Sequence, residues 1–294
     1  MADTRANAVN NKPGAGNFSM PTEDGERGFL LWSPLRTQWT DVESGRKRMM
    51  QTTTAAAAAA RLSPLFLPFA VYRKECLAEL AGTYLLVLLG PSSVIVASLI
   101  PGLDALEALL FIASSFGGTV ALVILLLGRY SAHINPAVTL AHGLARITRR
   151  DVLVLYFCFQ LTGALLAGLT LRVVFGSSGL ADSLGSTKLA AGVDPLVGFA
   201  LEMIGTFFLA SAALLASGHI RSRVRQAALV GTTLFLLIVL IGPLTGAGFN
   251  PARTLGPSIA SGYFANQVIY WAGPLAGAAL AGLAYAALIQ RSSG

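Results

Sequence analysis

Charge is what this chain has least of. Only 12% of its 294 residues are Asp, Glu, Lys or Arg, against about 25% in soluble domains, and mean hydropathy is +0.65. A soluble enzyme working on a polar polymer is excluded. Cysteine is nearly absent as well: Cys76 and Cys158 both lie in apolar stretches, which leaves neither a disulfide framework nor a metal-ligand spacing. Both read as small buried hydrophobes. With three histidines in the chain and no convergent acidic set, no metal and no cofactor is expected, and no nucleophile, base and orienter assemble into an enzyme.

The shortage of charge is uneven. Residues 1–74 carry 16 of the 35 charged side chains, including Arg46, Lys47 and Arg48, and run into six alanines, Ala55–Ala60. This composition predicts a disordered N-terminal tail over 1–74. Its apolar stretch Leu62–Tyr72 holds Pro64 and Pro68 and is too short to cross a hydrocarbon core of about 30 Å. The net charge of +7 would suit nucleic acid, but most of the basic residues sit in the tail, between Arg129 and Arg150, at Arg221 to Arg225, or at Arg291. Those are the places that the positive-inside rule loads, so topology accounts for the charge and no nucleic-acid partner is expected.

From Cys76 onward, six stretches have membrane-crossing length: Cys76–Ile100, Ala108–Leu127, Val152–Leu171, Pro195–Ser217, Gln226–Pro243 and Val268–Ile289. Six crossings return both termini to one side, and the basic clusters assign that side to the cytoplasm. Two apolar segments are left over, Asn135–Leu144 and Asn250–Ala260. At about 1.5 Å per helical residue, each spans only half the bilayer. Between Gln226 and Ile289 the only charge is Arg253, so the second half-span lies at membrane depth, and Arg253 there must face water or a partner. Irregular backbone at that depth survives only inside protein or along a wet cavity.

The chain also repeats itself. Glu79-Leu80-Ala81-Gly82-Thr83-Tyr84 matches Glu202-Met203-Ile204-Gly205-Thr206-Phe207, Asn135-Pro136-Ala137 matches Asn250-Pro251-Ala252, and Gly163-Ala164 matches Gly277-Ala278. Repeat one covers 75–176 and repeat two covers 195–290. Each holds three crossings, an odd number, so the copies are inverted and their Asn-Pro-Ala starts converge near the midplane. Asn is a favoured helix N-cap and Pro a favoured first residue, so two helices begin tip to tip there. Each N-terminus carries roughly half a positive charge, which repels cations while the Asn amides offer donors to a neutral solute.

The paired Asn-Pro-Ala boxes, the Glu-x-x-Gly-Thr pair and the run Trp271-x-Gly273-Pro274 resemble the major intrinsic protein family, the aquaporins and aquaglyceroporins, over about residues 75–289. The resemblance implies an all-α membrane protein in which six transmembrane helices and two re-entrant half-helices form an hourglass, usually a homotetramer with one pore per subunit. Small-residue pairs such as Gly163/Ala167 and Gly273/Gly277 would permit the close helix contacts of such an assembly. Half-helix dipoles plus an arginine are the established proton and cation barrier of this family. The resemblance places four residues at the selectivity filter: Phe116, Ile238, Ala247 and Arg253. One residue is missing between Gly128 and Asn135 relative to the family pattern.

The filter signals point two ways. Ile238 stands where strict water channels commonly carry His, which implies a wider, less polar ring. Thr254 replaces the Asp usual after the arginine in glycerol channels, and Tyr270-Trp271 is the aromatic pair of water-type members. The expected cargo is water, with glycerol, urea, ammonia or a metalloid as additions, in a cell membrane. Glu79, Glu202 and His133 read as anchors for the re-entrant loops. A rival of another class uses Glu79 and Glu202 as a proton relay in a coupled secondary transporter, and a third possibility is a structural membrane protein that keeps the fold without transport.

Overall fold

The computed structural model describes residues 66–292, and the greater part of the expected tail, residues 1–65, lies outside the described residues. Eight helices follow: α1 (Phe66–Leu99), α2 (Ala105–Leu127), α3 (Pro136–Leu144), α4 (Arg150–Ala181), α5 (Pro195–His219), α6 (Arg223–Thr245), α7 (Pro251–Ser261) and α8 (Ile269–Ser292), with a short 3-10 turn at Ser183–Gly185 between the two sets of four. Six are long and apolar enough to cross a membrane; α3 and α7, at 9 and 11 residues, are not. Among the described residues there is no strand.

Helix starts follow local chemistry. Asp104 caps α2 in a reciprocal box with Glu107, its carboxylate accepting from the Glu107 N–H at 2.8 Å, and Asp194 caps α5 ahead of Pro195. Stops use Gly246 and Gly262, both left-handed at φ 78°, a conformation that glycine adopts without a Cβ penalty.

Three expectations need correction. Residues 66–74, assigned to the disordered tail, are the first turns of α1. The helix bends at Tyr72 (φ −102°, ψ 21°) so that Phe69 stacks on Phe159 with 5.5 Å between ring centroids, and Tyr72 is buried with Cys76, Val152 and Tyr156. Pro68 falls in the first turn, where its missing N–H has no intrahelical partner to lose. The third crossing also runs ten residues past Leu171, to a break at Gly176 (φ 51°) and on to Ala181. Finally, Cys76 is buried but Cys158 is exposed on the outer face of α4.

Packing repeats the sequence symmetry. α1 lies on α4 and α5 lies on α8, α2 crosses α6 between the repeats, and each half-helix leaves its own repeat to pack on the last helix of the other, α3 on α8 and α7 on α4. The two halves are thereby interlocked as inverted copies. A Cβ on Gly163 would strike the Leu80 carbonyl oxygen, and one on Gly277 that of Met203. The small residues expected to permit close helix contacts do so at the α1–α4 and α5–α8 crossings, because backbones that approach this closely admit no side chain. Gly117 and Gly231 face each other's carbonyls in the same way at the α2–α6 crossing.

Candidate functional site: paired half-helix tips and a four-residue ring

The two tips are built alike. Ile134 and Phe249, immediately before each Asn, hold left-handed backbone at φ 43° and 48°, which is strained for non-glycine residues. This turns the chain sharply into the half-helix. Asn135 caps α3, its Oδ1 accepting from Ala137 N at 2.8 Å and Val138 N at 3.4 Å. Asn250 caps α7 with bonds from Ala252 N at 3.0 Å and Arg253 N at 3.3 Å. The caps fix both amide orientations, and the nitrogens then reach across: Asn135 Nδ2 donates to Phe249 O and Asn250 Nδ2 to Ile134 O, each at 2.8 Å. The half-helices are thus tied tip to tip, and each amide keeps a second N–H. Both Asn residues line one cavity of about 90 Å³, enough for several waters at roughly 10–15 Å³ each.

Two buried carboxylates hold the strained turns. Glu79 accepts from the backbone N–H of His133 at 2.8 Å and Ile134 at 2.6 Å, from Gln160 Nε2 at 2.6 Å, and from the Ser131 hydroxyl. Glu202 accepts from Gly248 N at 2.9 Å, Phe249 N at 2.7 Å and Thr245 Oγ1 at 2.7 Å. In each repeat the two backbone donors belong to the two residues before the Asn. Several donors on each carboxylate offset the cost of burying it. Both side chains are wholly buried and neither borders the cavity. His133 contributes its backbone N–H to Glu79, while its ring meets Thr139 Oγ1 at 3.1 Å and borders the cavity.

The four filter positions also come together. The Arg253 guanidinium lies over the Phe116 ring at 4.9 Å from its centroid, within cation–π range. Phe116, Ile238 and Ala247 belong to one apolar cluster, and Gly242 sits against both Ile238 and Ala247. None of the four is more than 5% exposed. Phe116 borders the cavity, whereas Ile238, Ala247 and Arg253 are not among its lining residues.

Two contributors were not legible beforehand. Gly185, in the connection between repeats, accepts from Arg253 Nη1 at 3.0 Å. Its φ of 69° and its seat against Pro91 leave no room for a side chain, but a lone glycine in a polar connection carries no such message. His142 also borders the cavity, its ring 4.2 Å from that of His133. Its spacing of seven from Asn135, through Val138, was the available signal. On the far side, Arg172 Nη1 donates to Ala260 O at 2.7 Å and ties α4 to the end of α7. Among the described residues no three His, Cys, Asp or Glu side chains converge as a metal site requires.

An inverted-repeat, multi-pass membrane fold with two half-helices meeting over a shared cavity has the architecture of a membrane channel. The sequence profile of the major intrinsic protein family matches residues 69–285, and the chain belongs to that family. It is similar to the aquaporin NIP1-1 of Oryza sativa subsp. japonica, 35% identical over 222 residues covering 74% of this chain and 76% of the relative. It is also similar to the probable aquaporin PIP2-8 of the same plant, 36% identical over 226 residues covering 72% and 80%. The aquaporin TIP2-1 of Arabidopsis thaliana is 35% identical over 236 residues, covering 74% and 88%. Among solved structures, the aquaglyceroporin from Plasmodium falciparum superposes with a TM-score of 0.65 at 20% identity, covering 75% of this chain and 96% of that one, which is a likeness of fold.

Proposed function

We propose that the protein is a passive channel for water that also admits small neutral solutes such as glycerol, urea or ammonia and rejects protons and ions. The observation that carries this reading is the reciprocal tie of Asn135 and Asn250 at a shared cavity, each amide keeping a free donor. A neutral molecule can accept from the two amides. A cation arriving there meets two helix N-termini and, beyond them, the fixed charge of Arg253. Phe116, Ile238, Ala247 and Arg253 form the selectivity constriction in this reading; Arg253 supplies donors, Phe116 a flat wall, and Ile238 and Ala247 no hydrogen bonds of their own. Ile238 favours admission of the solutes larger than water, metalloid hydroxides included.

Glu79 and Glu202 act as loop anchors. Their full burial and complete hydrogen bonding to the loops speak against a proton relay exposed alternately to two compartments. In this reading the basic loops 145–150 and 220–225 face the cytoplasm with both termini, which the charge asymmetry supports, and the channel works as a homotetramer in the cell membrane. Stopped-flow light scattering of vesicles holding the purified full chain tests the reading. Rapid shrinkage with a low activation energy and no dependence on a pH gradient is expected, followed by slower glycerol and urea entry. Background water permeability with gradient-driven uptake would replace the channel by a coupled transporter, and empty-liposome values throughout would leave only a structural role.

A further inference from the structure

The cavity between the Asn pair and the basic loops is walled largely by aliphatic side chains, among them Leu86, Val120, Ile124 and Val138. A narrow apolar passage of this kind empties of water unless hydrogen-bond partners are supplied along it. At its Asn end the partners are the Asn135 and Asn250 amides, whose remaining N–H groups are donors. His142 and Ser217 border the same cavity toward the basic loops, from α3 and α5. His142 stands seven residues beyond Asn135 on α3, about 10 Å along the axis, on the stripe that includes Val138.

The protons at this pair can be counted. His142 Nδ1 lies 2.9 Å from Val138 O, and a carbonyl can only accept, so Nδ1 bears the hydrogen and the neutral ring presents Nε2 as a bare acceptor. Ser217 Oγ is 3.0 Å from that Nε2 and 3.1 Å from Leu214 O. One hydroxyl proton faces two acceptors. If it goes to Nε2, the Ser217 lone pairs stay open toward the cavity. If it goes to Leu214 O, Nε2 and Oγ are two unpartnered acceptors side by side, which a water with two protons can bridge. Both arrangements offer an acceptor to the cavity, opposite in sense to the donors at the Asn tips. The second repeat has no counterpart, because the residue seven beyond Asn250 is Pro257.

We propose that His142 and Ser217 form a hydrogen-bond-accepting station for water, and for other small neutral donors, that keeps the basic-loop half of the conduit wet. The station rests on the channel reading above. A file of molecules that accepts from Asn135 and Asn250 then donates to His142 and Ser217, so the two ends of this half are satisfied together.

The test uses the full chain in vesicles. His142→Leu keeps the ring's approximate volume and removes the acceptor. Water permeability per channel is expected to fall by roughly three- to tenfold, the equivalent of one lost hydrogen bond, with a raised activation energy. His142→Gln, which restores a polar group, recovers most of that loss. Ser217→Val, on α5, lowers permeability in the same direction and serves as the independent variant should His142→Leu not fold. Either variant conducting water like the parent overturns the station, as does an equal loss in the Leu and Gln variants, which would indicate packing. A parent protein that moves no water would instead overturn the channel reading and the station with it.

Discussion

The two re-entrant loops begin from nearly the same chemistry and end in different places. In each, a buried carboxylate two helices away gathers the two backbone N–H groups before an Asn, a left-handed residue turns the chain, and Asn-Pro opens a half-helix. Past that point they diverge. The third residue after Asn135 is Val138, on the cavity wall; the third after Asn250 is Arg253, stacked on Phe116 and tied to Gly185. The first loop adds Gln160, Thr139 and His133 to its carboxylate network, whereas the second adds Thr245, on which Tyr270 also closes, donating to the Thr245 carbonyl at 2.7 Å. What the repeats share holds the tips together, and what they do not share is where the proposed selectivity lies.

That division can be attacked from its shared side first. Glu79→Leu and Glu202→Leu each strand two backbone N–H groups in a dry interior, and each is expected to destabilise the protein by about 3–5 kcal/mol, read as lost thermal stability in detergent. If only one of them did so, the loops would not be equivalent anchors. Gly163→Val and Gly277→Val should follow, at about 1–3 kcal/mol apiece from overpacking against Leu80 and Met203, with equal losses as the sign of true repeat symmetry.

Substitutions on the unshared side should spare stability and change permeation. Arg253→Val gives the second half-helix the residue found in the first. It is expected to raise glycerol entry and to admit protons, detectable with a pH dye inside the vesicles, while the folded fraction holds. An unaltered proton barrier would mean that the half-helix tips suffice alone. The smallest effect is expected from Ile238→His, which should narrow the ring and lower glycerol relative to water permeability by about tenfold. Equal loss of both, or none, would remove Ile238 from the constriction.

Much of this molecule is legible as a string of letters. Hydropathy located all six crossings, and Asn-Pro at the half-helix starts is capping chemistry confined to a few adjacent residues, so the observed α3 and α7 begin where those letters place them. Errors arose where distant packing overrode a local signal. Composition assigned residues up to 74 to a disordered tail, yet α1 reaches back to Phe66, with Phe69 stacked on Phe159 and Tyr72 buried with Tyr156. His142 looked solitary because its partners, His133 and Ser217, come from another turn and another helix.

By itself, then, the sequence determined which segments enter the bilayer, where the half-helices start and that the halves are inverted copies, because hydropathy, capping and repetition are properties of contiguous residues. Only the tertiary structure decided that Asn135 and Asn250 exchange bonds across the tips, that Gly185 accepts from Arg253 while Phe116 stacks on it, and that His133 and His142 reach the cavity. Those are contacts between residues from about 70 to more than 110 positions apart, and their geometry exists only once the backbones have closed on one another at glycine.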